Sequence, residues 1–233
     1  MRKGTLRFIG ATVGALACGV ALQASADTVT FSTPTGATTS GGAVDASATF
    51  VTGNGTITIT LNDLLANPGN VAQLISDLNF TLSNDAATGT LSSSSATQIS
   101  ISGHSGTIGS TGATGWVLNG VSGGLQLDAL GAPTTPSELI IGPGPYTNAN
   151  GSINGNGPHN PFLDGTAHFT IDVAGVTAAT SVTGAVFSFG TTPGIDVTGT
   201  PSTTSVPEPA TLGLLALGLL GAGGMRMRRR KAS

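Results

Sequence analysis

The chain has 233 residues, of which only 8% are charged and 36 are glycine, and it contains 35 threonines and 22 serines. All eight lysines and arginines lie within residues 2–7 and 226–231, and all eleven acidic residues lie between those clusters. This composition argues against a helical bundle, a coiled coil or a Rossmann enzyme. A central part without cations cannot neutralise the phosphates of a nucleic acid, so the sequence argues against nucleic-acid binding.

The first 26 residues predict a secretory signal peptide. A basic start is followed by an apolar stretch at 8–22, and Ala24 and Ala26 form a small-x-small cleavage site. Signal peptidase would then leave Asp27 as the first residue of the mature chain. An uncleaved anchor and a lipoprotein cut before Cys18 are the alternatives. Glycines in the apolar stretch disfavour the anchor, and the continuation of that stretch past Cys18 disfavours the lipoprotein.

Residues 27–200 predict one all-β domain. Short alternating runs recur, and the clearest is 56–61, where Ile57, Ile59 and Leu61 share one face. Glycine- and proline-containing turn signals separate the runs. Many short strands of this kind favour a β-sandwich, either Ig-like or jelly-roll-like.

One segment of this domain has helical spacing instead. Asn67 followed by Pro68 is typical of a helix start. Apolar residues then recur at i, i+3, i+4 and i+7, namely at Val71, Leu74, Ile75 and Leu78. The spacing predicts one short helix at 68–78, packed over an edge or end of the sandwich.

Residues 142–161 are rich in Gly, Asn and Pro and predict one exposed loop. Its part 148–157, or the region near Asp164, offers oxygen atoms to a calcium ion. The loop lacks the aspartates and the terminal glutamate of an EF-hand. A calcium-dependent binding module therefore stays an alternative.

The sequence predicts no catalytic residue, no metal ligand and no cofactor site. Gly103-His104-Ser105-Gly106 resembles a nucleophile elbow, but Thr107 replaces the final glycine, so a β-turn is expected. The three histidines, His104, His159 and His168, do not have the spacing of a zinc site, and His168 is expected at the surface of a strand.

Two further patterns suggest binding. Trp116 and Tyr146 could stack on a sugar ring, although single aromatic residues more often lie in a core or anchor a loop. Thr56, Thr58 and Thr60 form one ladder of hydroxyls, whereas ice binding would need a flat array of several.

The C-terminal end has three parts in a fixed order after a Ser/Thr linker at 201–205. The first is Val206, Pro207, Glu208 and Pro209; the second is an uncharged stretch at 210–225 that predicts a short transmembrane helix. The third is a basic cluster that should stay cytoplasmic, formed by Arg226, Arg228, Arg229, Arg230 and Lys231.

This order, over residues 206–233, resembles the PEP-CTERM sorting signal of Gram-negative bacteria. The resemblance implies recognition by an exosortase, cleavage near Pro-Glu-Pro after transient anchoring in the inner membrane, and release or attachment at the cell surface. Such proteins often accompany exopolysaccharide. The same tail is sometimes labelled an ice-binding protein C-terminal domain, a label that does not establish ice binding.

The leading hypothesis is a non-enzymatic secreted protein of the cell envelope or extracellular matrix, with exosortase and signal peptidase as partners and exopolysaccharide as a further one. The first alternative is a carbohydrate- or calcium-dependent binding module. A secreted hydrolase that uses Ser105 is the third hypothesis.

Overall fold

The computed structural model describes residues 26–131, 138–192 and 194–203. These ranges contain fifteen strands, one 3-10 turn at Val71–Gln73 and one short helix, α1, at Gly151–Asn154. The all-β class is confirmed. The strands are β1 Thr28–Ser32, β2 Thr38–Thr39, β3 Gly42–Ala43, β4 Ala46–Thr52, β5 Thr56–Asp63, β6 Ile75–Leu82, β7 Thr90–Ser102, β8 Ser105–Gly112, β9 Val117–Val121, β10 Gly124–Asp128, β11 Ile140–Ile141, β12 Phe162–Asp172, β13 Val182–Phe189, β14 Asp196–Thr198 and β15 Thr200–Thr203.

Thirteen of these strands form one hydrogen-bonded sheet that has two halves. The long layer runs β15-β1-β4-β5-β12-β7-β8, and the short layer runs β14-β13-β6-β10-β9. The two-residue strand β11 joins them, because Ile140 pairs with Leu163 of β12 in parallel and with Ile75 of β6 in antiparallel orientation. Hydrogen bonding is therefore continuous from one layer to the other.

The core lies between the two layers. Phe50 of β4 is fully buried, and its ring centroid lies 6.0 Å from that of Phe31 in β1 and 5.2 Å from that of Phe80 in β6. In β5 the alternation predicted from the sequence is confirmed, because Ile57, Ile59 and Leu61 are all buried. Alternation turns every second residue of these strands away from the core.

The prediction of a helix at 68–78 is wrong. Only Val71–Gln73 is helical, as a 3-10 turn with a capping box between Asn70 and Gln73, and Ile75 already begins β6. β6 has β13 along one edge and β10 along the other, so its backbone groups are paired on both sides. Pairing on both sides outweighs the helical spacing of the apolar residues.

The segment 142–161 is not simply an exposed loop. It contains α1, and its side chains Tyr146, Ala149 and Ile153 are buried. Asn150 caps α1 by accepting a hydrogen bond from the Ser152 amide at 2.8 Å. The asparagines of this segment therefore build local structure around three buried anchors.

The sheet also extends further than the sequence predicts. Thr200–Thr203 forms β15, and Val29 of β1 pairs with Thr203, so the part of the predicted linker at 201–203 is a strand. The edge of β1 has backbone N–H and C=O groups that pair with this extended segment.

Within the part of the chain that the structure describes, no helix has the length and hydrophobicity of a membrane span. The predicted span 210–225 and nearly all of the predicted signal peptide lie outside that part.

Candidate functional site

The outward face of the long layer is lined with hydroxyl groups. The strand registers align these side chains in three rows that cross β1, β4, β5 and β12, and two of the rows continue into β7. We call these fourteen residues the hydroxyl face, and eleven of them are serine or threonine. The rows are Thr30, Thr49, Thr60, His168 and Ser95; Thr28, Val51, Thr58, Thr170 and Ser93; and Ser32, Ser47, Asn62 and Thr166.

Hydrogen bonds along the rows hold these side chains in order. The hydroxyls of Thr30 and Thr49 are 2.9 Å apart, and the Thr60 hydroxyl lies 3.2 Å from Nδ1 of His168. In the third row, Thr166 donates to Asn62 at 2.9 Å, and Asn62 donates to Ser47 at 3.2 Å. Neighbouring strands lie about 4.8 Å apart and alternate residues of a strand about 6.7 Å apart, so the face is a regular array.

The hydroxyl face carries very little charge. His168, which is exposed as the sequence predicts, is the one titratable residue of the three rows. Asp172 lies opposite Thr56 beyond the end of the rows. Such a surface can exchange hydrogen bonds with a neutral ligand but offers almost no ionic attraction.

In contrast to the hydroxyl face, the short layer carries an acidic groove, which has a volume of about 310 Å³. Asp77, Asp128 and Asp196 line it. Burial raises the pKa of Asp77 to about 7, the hydrogen bond from Gln126 opposes that shift, and the charges of the other two aspartates add to it. Asn79 also donates to Asp77 at 3.2 Å.

Calcium binding, the alternative considered for residues 148–157 and the region near Asp164, would need a cluster of oxygen ligands. Within residues 26–131, 138–192 and 194–203, no group of three or more His, Cys, Asp or Glu residues could hold a metal ion. In the asparagine-rich segment, Oδ1 of Asn150 accepts from both the amide and the hydroxyl of Ser152. One of the oxygens proposed for calcium is thus engaged in capping.

The two aromatic side chains considered for sugar stacking are both in the core, as is more common for single aromatic residues. Trp116 is 4% exposed, packs 5.3 Å from the ring of Phe169 and donates its indole N–H to the Glu138 carbonyl at 2.7 Å. Tyr146 is also 4% exposed. Neither ring offers a free face to a ligand.

The segment that resembles a nucleophile elbow is a hairpin turn, as predicted. Gly103 and His104 have φ values of 54° and 65°, which is typical of a two-residue turn between antiparallel strands. Ser105 then begins β8 opposite Ser102 of β7. The strand–turn–helix context of a hydrolase nucleophile is therefore not the one found at Ser105.

The two ends of the described chain meet at one edge of the long layer. Asp27 precedes β1 directly, and Val29 pairs with Thr203 of β15. Of the predicted processing residues, Ala26 and Asp27 are described, while Ala24, the motif Val206–Pro209 and the basic cluster lie outside the described part. A body processed at both ends would carry those ends side by side.

Comparison with known proteins identifies the C-terminal segment. A family model, the PEP-CTERM protein-sorting motif, matches residues 205–230. The match includes Val206, Pro207, Glu208 and Pro209 and reaches into the basic cluster, so the resemblance seen in the sequence is confirmed. No curated protein and no solved structure matches the chain.

The sequence pointed to only part of the hydroxyl face. It showed the threonine ladder of β5, which on its own was too little for a binding surface. Similar alternation of hydroxylated residues recurs at 28–32, 47–51 and 166–170. This recurrence is the sequence feature that could have indicated the rest of the hydroxyl face. The order of the strands, which makes these four segments neighbours, is not readable from one sequence.

Proposed function

We propose that this chain, which ends in a PEP-CTERM sorting motif, is a non-enzymatic protein of the cell envelope or extracellular matrix that binds neutral polysaccharide through its hydroxyl face. The motif implies export towards the envelope or surface and recognition by an exosortase. In this proposal the body is a β-sandwich passenger. Signal peptidase releases it before Asp27, and the apolar stretch 210–225 anchors it in the inner membrane of a Gram-negative bacterium until the exosortase acts.

The observation that carries the binding proposal is the array of hydroxyls on the long layer. A neutral polysaccharide presents hydroxyl and ether oxygens at regular intervals, and threonine and serine can both donate to and accept from such groups. Each hydrogen bond contributes only about 0.5–1.5 kcal/mol, so a polymer gains affinity by meeting many rows at once.

The charge of the body favours a neutral polymer over an anionic one. Between residues 8 and 225 the chain has no lysine or arginine, while it has eleven acids. An anionic polysaccharide would meet repulsion without any compensating cation. The two leading sequence hypotheses, a surface protein and a carbohydrate-binding module, are joined in this proposal.

Valine substitutions of paired threonines test the proposal. Replacing Thr30 and Thr49 together by valine keeps the side-chain shape and the strand preference but removes two hydrogen-bonded hydroxyls from the central row. We expect binding to a soluble neutral glucan, measured by affinity electrophoresis of the exported protein, to weaken about tenfold, since 1.4 kcal/mol corresponds to a factor of ten.

The short layer supplies a matched control. Thr81 and Thr183 form the same kind of pair there, with hydroxyls 2.9 Å apart, and replacing both by valine should leave binding unchanged. Equal binding by both double variants, or no binding of the unchanged protein to neutral glucans and galactans, would contradict the proposal. Inhibition of ice recrystallisation that is lost only in the Thr30 and Thr49 variant would assign the face to ice instead.

A further inference from the structure

Strand β8 is a long and fully exposed edge of the sheet. It pairs with β7 and with no other described strand, and all eight of its residues are exposed. In an antiparallel strand, alternate residues direct their N–H and C=O groups to opposite sides. The side of β8 that faces away from β7 therefore presents a row of backbone donors and acceptors that another strand could pair with.

The other edges that the structure describes are protected in ways known to prevent edge-to-edge pairing. β15 has only four residues, and Pro201 is one of them; β14 has three and carries Asp196. β9 is also shorter, with five residues against the eight of β8, and four of the five are partly buried. β8 has neither a proline nor a charged residue, and no described strand pairs with its outer side.

The charge distribution makes β8 the place where two copies can approach. Between Asp85 and Asp128 the chain has no Asp, Glu, Lys or Arg, and this stretch contains both β7 and β8. All eleven acids of the chain lie outside this stretch, so two copies repel each other over many orientations. Contact along the β7–β8 hairpin brings their uncharged parts together and keeps the acidic groove of each copy apart from the contact.

One apolar side chain on β8 lacks cover. Ile108 is 59% exposed, although its cross-strand neighbour Ile99 is 3% exposed. Ile108 thus lies on the core-facing side of the sheet but beyond the margin of the core. A strand added next to β8 would bury part of it, and a second β8 would do so with an identical side chain.

We propose that two copies of this chain associate by antiparallel pairing of β8 with β8 about a two-fold axis. The contact is isologous, since the same strand is used by both copies, and it therefore closes as a dimer. The long layers become one continuous sheet, and the two hydroxyl faces lie on the same side of it. The dimer would then present twice the binding surface to a polymer.

Cysteine substitution can detect this pairing in the exported protein. Cys18 is the one native cysteine and lies in the predicted signal peptide, so in the exported protein single cysteines can be placed at Ser105, Thr107, Ile108, Gly109, Ser110 and Thr111. Gly106 is avoided, because a side chain there would meet the ring of Tyr146. Near a two-fold axis a residue faces itself, so we expect disulfide-linked dimers at one or two central positions and few at the ends.

Thr198→Cys in β14 is the matched control, because it places an exposed cysteine on another edge. The proposal is overturned if no β8 position gives more dimer than this control. It is also overturned if the linked species has the mass of one copy joined to a different protein.

A charge on the edge provides an independent measurement. Ile108→Lys would place two like charges close to each other across the axis, whereas Ile108→Val keeps the strand apolar. By light scattering we expect the dimer dissociation constant to rise at least tenfold for the lysine variant and to stay nearly unchanged for the valine variant. Equal dissociation constants for both variants would contradict pairing through β8.

Discussion

Replacing Phe50 by alanine is expected to lower the free energy of unfolding by about 3–5 kcal/mol, the usual cost of deleting a buried phenylalanine ring. Phe50 is fully buried, and its ring contacts Phe31 in its own layer and Phe80 in the opposite one. The substitution leaves a cavity where the two layers meet. A loss of this size is a large part of the stability of a typical domain, about 5–15 kcal/mol.

Urea unfolding followed by tryptophan fluorescence measures this effect, because Trp116 is the single tryptophan and is buried. Leu64→Ala is the control. Leu64 is 47% exposed, so its truncation should change the free energy of unfolding by no more than about 0.5 kcal/mol. If the two substitutions cost the same, the two layers do not pack through Phe50.

Asp77→Asn is expected to stabilise the protein above neutral pH. Burial, opposed by the hydrogen bond from Gln126 and reinforced by Asp128 and Asp196, raises the pKa of Asp77 from 3.8 to about 7. The folded state therefore holds a proton on Asp77 that the unfolded state has already lost. Stability falls as the pH rises from about 4 to 7, by as much as about 4 kcal/mol at 1.36 kcal/mol per pKa unit.

Asparagine has nearly the same shape and no charge, so the variant should lack this loss. We expect the two proteins to differ little at pH 4 and to differ most at pH 8, where the variant is the more stable. Asp63, whose pKa burial also raises, is present in both proteins, so the difference isolates Asp77. Asp85→Asn, which removes a carboxylate at an exposed position, is the control. A parallel profile for Asp77→Asn would show that the groove does not bury this carboxyl group.

The strands with strict alternation were predictable from the sequence, and the central strand was not. In β5 one face is buried and the other faces outward, so Ile57, Ile59 and Leu61 alternate with polar residues. In β6 both faces are largely covered, and Ser76 and Asp77 are buried along with their apolar neighbours. The start of β6 has no exposed face, so it shows no alternation there, and its apolar residues fit a helical period by coincidence.

The candidate site depends on the register of distant strands, which explains why the sequence revealed so little of it. Thr49 and Thr60 are close in the chain, but Thr30 and His168 reach the same row only through pairs formed over long separations. Composition could indicate that hydroxyls are abundant. It could not indicate that four strands place them on one side of one layer.

The mass of the exported protein tests the central claim most directly, namely that this body is a passenger processed at its PEP-CTERM motif. Pro207 and Pro209 flank Glu208 at the centre of this motif. We expect mass spectrometry to show a mature chain that begins at Asp27 and lacks residues 210–233. Glu208→Ala should leave the chain uncleaved in the membrane, while Ser205→Ala beside the motif should be processed normally. An exported chain that still contains residues 210–233, or normal processing of Glu208→Ala, would contradict the claim.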